Sequence, residues 1–148
     1  MKSVYRVLAG LVAVGVVLQA MFIALGWFTA IKDVDGGLVI DKNYEGNTGH
    51  MLHGQFGMMI IPIVALLLLI VSFFAKVQGG IKWALYVVGL VALQIALAFV
   101  SFGAPVVGLL HGLNAFALAA VASMASRRAS GPPAPATAET AEPTEATR

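Results

Sequence analysis

The sequence predicts an all-α integral membrane protein, an up-down four-helix bundle followed by a disordered C-terminal tail. Three observations carry that reading. Of 148 residues, 59% are hydrophobic and 11% charged, whereas soluble domains carry about 25% charged residues. Four apolar runs, near residues 7–31, 51–74, 81–102 and 105–126, reach the ~20 residues that a helix needs to cross a bilayer. Beyond Arg128 the chemistry changes, and Ser130–Arg148 holds no large apolar side chain to bury, the composition of a segment that stays unfolded. Residues 1–128 therefore form one domain and residues 129–148 a tail.

The first run follows Lys2 and Arg6, as a signal peptide would. A cleavable apolar core spans about 7–15 residues; this one is much longer and is expected to stay as an anchor. The loop Lys32–Gly49 carries Asp33, Asp35, Asp41 and Glu45. Asp33-Val34-Asp35-Gly36 places glycine too early for an EF-hand and lacks its third ligand, so the loop reads as a solvated cap. Leu38-Val39-Ile40 is expected to lay a short extended piece over the bundle. Asn47 or Thr48 suits the cap of the second helix. Pro62 removes a hydrogen bond to the Met58 carbonyl and predicts a kink.

Short links at residues 75–80 and 103–104 make the second, third and fourth spans antiparallel neighbours. Pro105 fits a first helical turn, where its missing N–H is no loss. With four spans, Lys2, Arg6, Lys76, Lys82, Arg127 and Arg128 fall on one side, against Lys32 and Lys42 on the other. The positive-inside rule then puts both termini in the cytoplasm.

Composition also excludes. A net charge of +2 spread along the chain forms no basic stripe for nucleic acid. The chain has no cysteine, and so no disulfide, covalently attached haem, thiolate zinc site or iron–sulfur cluster. The spans hold no carboxylate for a proton relay. There is no phosphate loop, dinucleotide fingerprint or serine triad, and no charged pathway of the kind a transporter uses.

What remains is polar chemistry at one end. His50 and His53 open the second span in His50-Met51-Leu52-His53-Gly54, and His111 lies within the fourth in His111-Gly112-Leu113-Asn114. An ionisable ring inside a membrane marks a functional site by default, and neutral imidazole is a ligand for metals and haem iron. Counted inward from the outer surface, His53, His111, Gln94, Asn114 and Gln19 all fall in the outer half. Spans two and four run the same way on a diagonal, so His53 and His111 can approach one atom from opposite sides. Their expected axial offset is roughly 7–8 Å at 1.5 Å per residue. His50 lies further out, an interfacial residue near a haem propionate.

Gln19, Gln94 and Asn114 should point inward, and for the two glutamines a helix-to-helix hydrogen bond is the simpler expectation. Gly54, Gly57, Gly108 and Gly112 admit either a flat macrocycle or a close helix. Met51, Met58 and Met59 near the histidines raise a copper(I) alternative, weakened because methionine is general apolar filler.

These residues carry a resemblance. The four spans, His53 with Gly57 four residues on, and His111 high in span four resemble one half of haem A synthase and share the paired histidines of ascorbate-reducible diheme cytochromes b. Gln19, the stretch from Asn47 to Gly57, Gln94 and His111-Gly112-Leu113-Asn114 are similar to a family of small bacterial four-helix membrane proteins classed as a domain of unknown function. The likeness covers residues 1 to about 126. It implies a bacterial cytoplasmic membrane protein with His53 and His111 as axial ligands of one haem b. The haem A synthase halves carry a glutamate shortly before the span-two histidine and an arginine just after it. Here Gly54 follows His53 and the nearest acid is Glu45, so only haem binding is implied, not oxygenase chemistry. Two readings of function follow: electron transfer or haem handling, with a redox partner, and a cofactor-free accessory or assembly subunit of a membrane complex.

Overall fold

A computed structural model describes residues 1–131; the expected disorder of the tail falls, from Pro132 onward, outside them. Four helices follow one another: α1 (Lys2–Asp35), α2 (Thr48–Ser72), α3 (Gly80–Gly103) and α4 (Pro105–Arg128). Among the described residues there is no strand. All four helices are long and apolar enough to cross a membrane, and no more than 17% of any span's apolar window is buried inside the protein. Phe28, Phe102, Leu109 and Phe116 are among the most exposed side chains. An apolar surface that extensive belongs against lipid, where helices satisfy their own backbone groups.

Each helix packs on its neighbours in sequence, and α1 also closes on α4. This leaves α2 diagonal to α4 and α1 diagonal to α3. The core runs along the axis as Ala9, Val12, Ala65, Leu68, Ala84, Val87, Leu118 and Ala122, small enough for the helices to approach closely. At the end holding the N-terminus, the Tyr5 hydroxyl donates to the Gly80 carbonyl (3.0 Å) and Ser126 Oγ to the Arg6 carbonyl (3.0 Å). The Arg128 guanidinium lies 4.9 Å from the centre of the Trp83 ring. These contacts bring the N-terminus and the end of α4 to one side, as an even number of spans requires.

The helices differ in detail from the apolar runs. With 34 residues, α1 is about 51 Å long, so its last turns, with Lys32, Asp33 and Asp35, project beyond a ~30 Å hydrocarbon layer. The second helix starts at Thr48, three residues before its apolar run, because Asn47 caps it. Leu38, Val39 and Ile40 are exposed and form no strand, so they do not cover the bundle. Pro62 is absorbed by a π turn at Phe56–Ile60 in which the Ile61 N–H reaches back to the Phe56 carbonyl. The extra residue in that turn accommodates a proline that donates no bond. In the α2–α3 link, Lys76 (φ 51°) and Gly79 (φ 69°) take left-handed conformations that reverse the chain.

Candidate functional site

The polar groups foreseen in the outer half meet at the end of the bundle away from the N-terminus. His53 is the sixth residue of α2 and His111 the seventh of α4. The early start of α2 therefore removes most of the axial offset expected between them. Their ring centres are 6.3 Å apart and the ring planes cross at 61°.

Each ring is fixed by a neighbouring helix. His53 Nδ1 lies 3.0 Å from the Gln19 carbonyl oxygen on α1, and His111 Nδ1 lies 3.0 Å from the Gln94 carbonyl oxygen on α3. A carbonyl oxygen only accepts, so both Nδ1 atoms carry the proton, the tautomer that in a neutral ring leaves the Nε2 lone pair for a ligand. Metal-ligating histidines are oriented in this way, by the bond that their other nitrogen donates.

Gln94 and Asn114 complete the α3–α4 side. Gln94 Nε2 donates to the His111 carbonyl (2.9 Å), while Asn114 Nδ2 donates to Gln94 Oε1 (2.6 Å) and to the Leu90 carbonyl (3.0 Å). Gln94 thus makes the helix-to-helix bond expected of it, and it holds His111 through its own carbonyl and side chain together. Gln19 does not. Both polar atoms of its amide are buried without a hydrogen-bond partner. A Cβ on Gly57 would come 3.0 Å from Gln19 Nε2, so Gly57 makes room for this amide. A buried amide left unpaired costs about 1–3 kcal/mol, so this amide is a hydrogen-bonding group that nothing in the protein uses.

His50 belongs to a separate cluster. The Asn47 side-chain oxygen accepts the Gly49 N–H (3.0 Å) and the His50 N–H (3.4 Å), and His50 Nδ1 accepts the Asn47 N–H (3.4 Å) in return. This is a capping box with histidine in the usual place of glutamate or glutamine. Asn47 Nδ2 also donates to the Gly26 carbonyl (2.8 Å), tying the cap to α1. The His50 ring meets Trp27 edge-on at 5.0 Å between centres, with Tyr44 at 6.2 Å, and its Nε2 is buried without a partner. Asn47→Ala removes the cap and the bond to Gly26, so thermal unfolding in detergent should show a loss of about 1–2 kcal/mol; an unchanged transition would contradict this role.

Other expectations are refined. Gly54 and Gly112 have nothing within 4 Å of a Cβ position, whereas Gly108 sits close to Ser101 Oγ (3.8 Å). The former face outward and the latter serves the α3–α4 contact. Met51, Met58 and Met59 are exposed, so they line the outside of α2, and the copper(I) alternative loses its thioethers. Sequence reasoning missed the backbone crossing of Gly26 on α1 and Gly49 on α2, where a Cβ on Gly49 would meet the Gly26 backbone. It also missed Trp27 and Tyr44. The small residues of this crossing lie far apart in sequence, and no local pattern joins them.

Among the described residues no three histidines, cysteines or carboxylates gather as for a bare metal ion. Two imidazoles suffice only where the ion brings its other ligands. The fold and the histidine pair therefore define a four-helix protein of membrane-spanning class with two converging imidazoles. No family model matches this chain, and neither a curated protein nor a solved structure matches it.

Proposed function

We propose that the protein is a multi-pass protein of the bacterial cytoplasmic membrane, with its termini in the cytoplasm, that holds one b-type haem between His53 and His111 for electron transfer or haem handling. The observation that carries this reading is the shared orientation of the pair, each Nδ1 bound to a backbone carbonyl and each Nε2 left free. Metal–imidazole bonds run about 2.0–2.1 Å, so two rings on one ion have centres roughly 6 Å apart; here they are 6.3 Å apart. Haem supplies the remaining ligands and a one-electron iron couple. The chain's part is to fix the rings through the Gln19 and Gln94 carbonyls, to exclude water with an apolar shell, and to offer the Gln19 amide as a hydrogen-bonding group.

One observation favours the second reading, a cofactor-free accessory or assembly subunit. Among the described residues, one cleft lies at the α2–α3 turn and another on α3 and α4 beside Asn114, and neither is lined by His53 or His111. With the rings on diagonal helices and their centres 6.3 Å apart, a flat macrocycle between them extends toward α1 and α3, which must part to admit it. Titration of haemin into the detergent-solubilised protein separates the two readings. The haem reading expects saturation at one equivalent per chain and no saturable binding by the His53→Ala/His111→Ala double variant. Equal binding by both proteins, or none by either, favours the accessory subunit.

A further inference from the structure

The end opposite the histidines carries a second grouping that the haem reading does not use. Lys2, Arg6, Lys76, Lys82, Arg127 and Arg128 gather there, while Asp33, Asp35, Asp41 and Glu45 all lie at or beyond the far end of α1. Among the described residues no salt bridge pairs any of these basic side chains.

Two of the lysines share a cleft. The turn between α2 and α3 borders an open cleft of about 230 Å³ whose lining includes Ser72, Phe73, Lys76, Ile81 and Lys82. Its composition is divided. Lys76 and Lys82 supply positive charge, while exposed Phe73 and Ile81 supply apolar walls. The Ser72 hydroxyl is turned away, donating to the Leu69 carbonyl (2.6 Å), so it does not compete for the lysines. Lys76 reaches the cleft from a left-handed backbone conformation (φ 51°) that glycine would adopt more readily. Lys82 Nζ is 5.7 Å from the Tyr86 ring, an aromatic of the kind that sits at headgroup level. No side chain caps α3; the Gly80 N–H is taken by the Val77 carbonyl (2.9 Å), which leaves the Ile81 and Lys82 N–H groups of the first turn without a helical acceptor.

We propose that this cleft seats the phosphate of an anionic phospholipid, with Lys76 and Lys82 on the phosphate and the acyl chains against Phe73 and Ile81. Basic pockets between membrane helices recognise anionic headgroups in this way. The apolar walls argue for a lipid over free phosphate, since an inorganic ion gains nothing from them.

Native mass spectrometry of the full chain in detergent at physiological salt tests the proposal, using phosphatidylglycerol, phosphatidylcholine and inorganic phosphate as separate probes. Lys76→Gly/Lys82→Gln removes both charges, and glycine suits the backbone at residue 76. Lys2→Gln/Arg6→Gln removes equal charge at the same end but outside the cleft. The wild-type protein should retain one phosphatidylglycerol in preference to phosphatidylcholine. The cleft variant should need roughly thirtyfold more lipid for half-saturation, at about 1 kcal/mol per basic residue, and the control should shift far less because diffuse attraction is screened by salt. Equal retention of phosphatidylcholine, equal losses in the two variants, or competition by millimolar phosphate alone would each overturn the lipid seat.

Discussion

Gly49→Val should unfold the histidine end of the bundle, and Gly49→Ala should already destabilise it by about 3 kcal/mol or more, the upper range for overpacking. A Cβ on Gly49 would lie 2.5 Å from Gly26 Cα and 2.8 Å from the Phe22 carbonyl oxygen. These are backbone atoms, so no rotamer change relieves the clash and α1 and α2 must separate. Separation would also draw His53 from the Gln19 carbonyl and strip Asn47 from the Gly26 carbonyl. Gly54→Ala and Gly112→Ala are the matched controls, since a methyl meets nothing at either position and alanine favours a helix by up to about 1 kcal/mol. Thermal or denaturant unfolding in detergent reads the contrast. Equal effects at Gly49 and Gly54 would show that the crossing is not a backbone contact.

The second large effect follows from the proposed haem site. His111→Ala should abolish the low-spin spectrum or convert it to high-spin, and His53→Ala should do the same, because each variant removes one of the two free Nε2 atoms. His50→Ala should leave the spectrum in place and lower stability instead. His50 serves the capping box and packs on Trp27 and Tyr44, in a cluster of its own. A variant series in which His50 rather than His53 governs the spectrum would reassign the ligand.

Much of this was legible in the sequence, for physical reasons that also set its limit. The four spans show because lipid exposure demands unbroken apolar runs. The start of α2 does not, because Thr48, Gly49 and His50 are held by Asn47 through hydrogen bonds that hydropathy ignores. Those added residues remove most of the axial offset expected between His53 and His111. Gln19 and Gln94 read alike in the sequence, each a lone amide in an apolar span. Gln94 finds Asn114 at its own depth, and Gln19 meets Gly57, which has no side chain to pair with it. The π turn above Pro62 and the Gly26–Gly49 crossing depend on contacts between segments, beyond the reach of local patterns.

The reduced-minus-oxidised visible spectrum of the protein, purified after expression with ample haem, decides whether His53 and His111 hold an iron between them. Ligation by the pair gives the α band of a low-spin b-type haem, lost in both His53→Ala and His111→Ala. A flat difference spectrum from haem-replete, folded protein would contradict it.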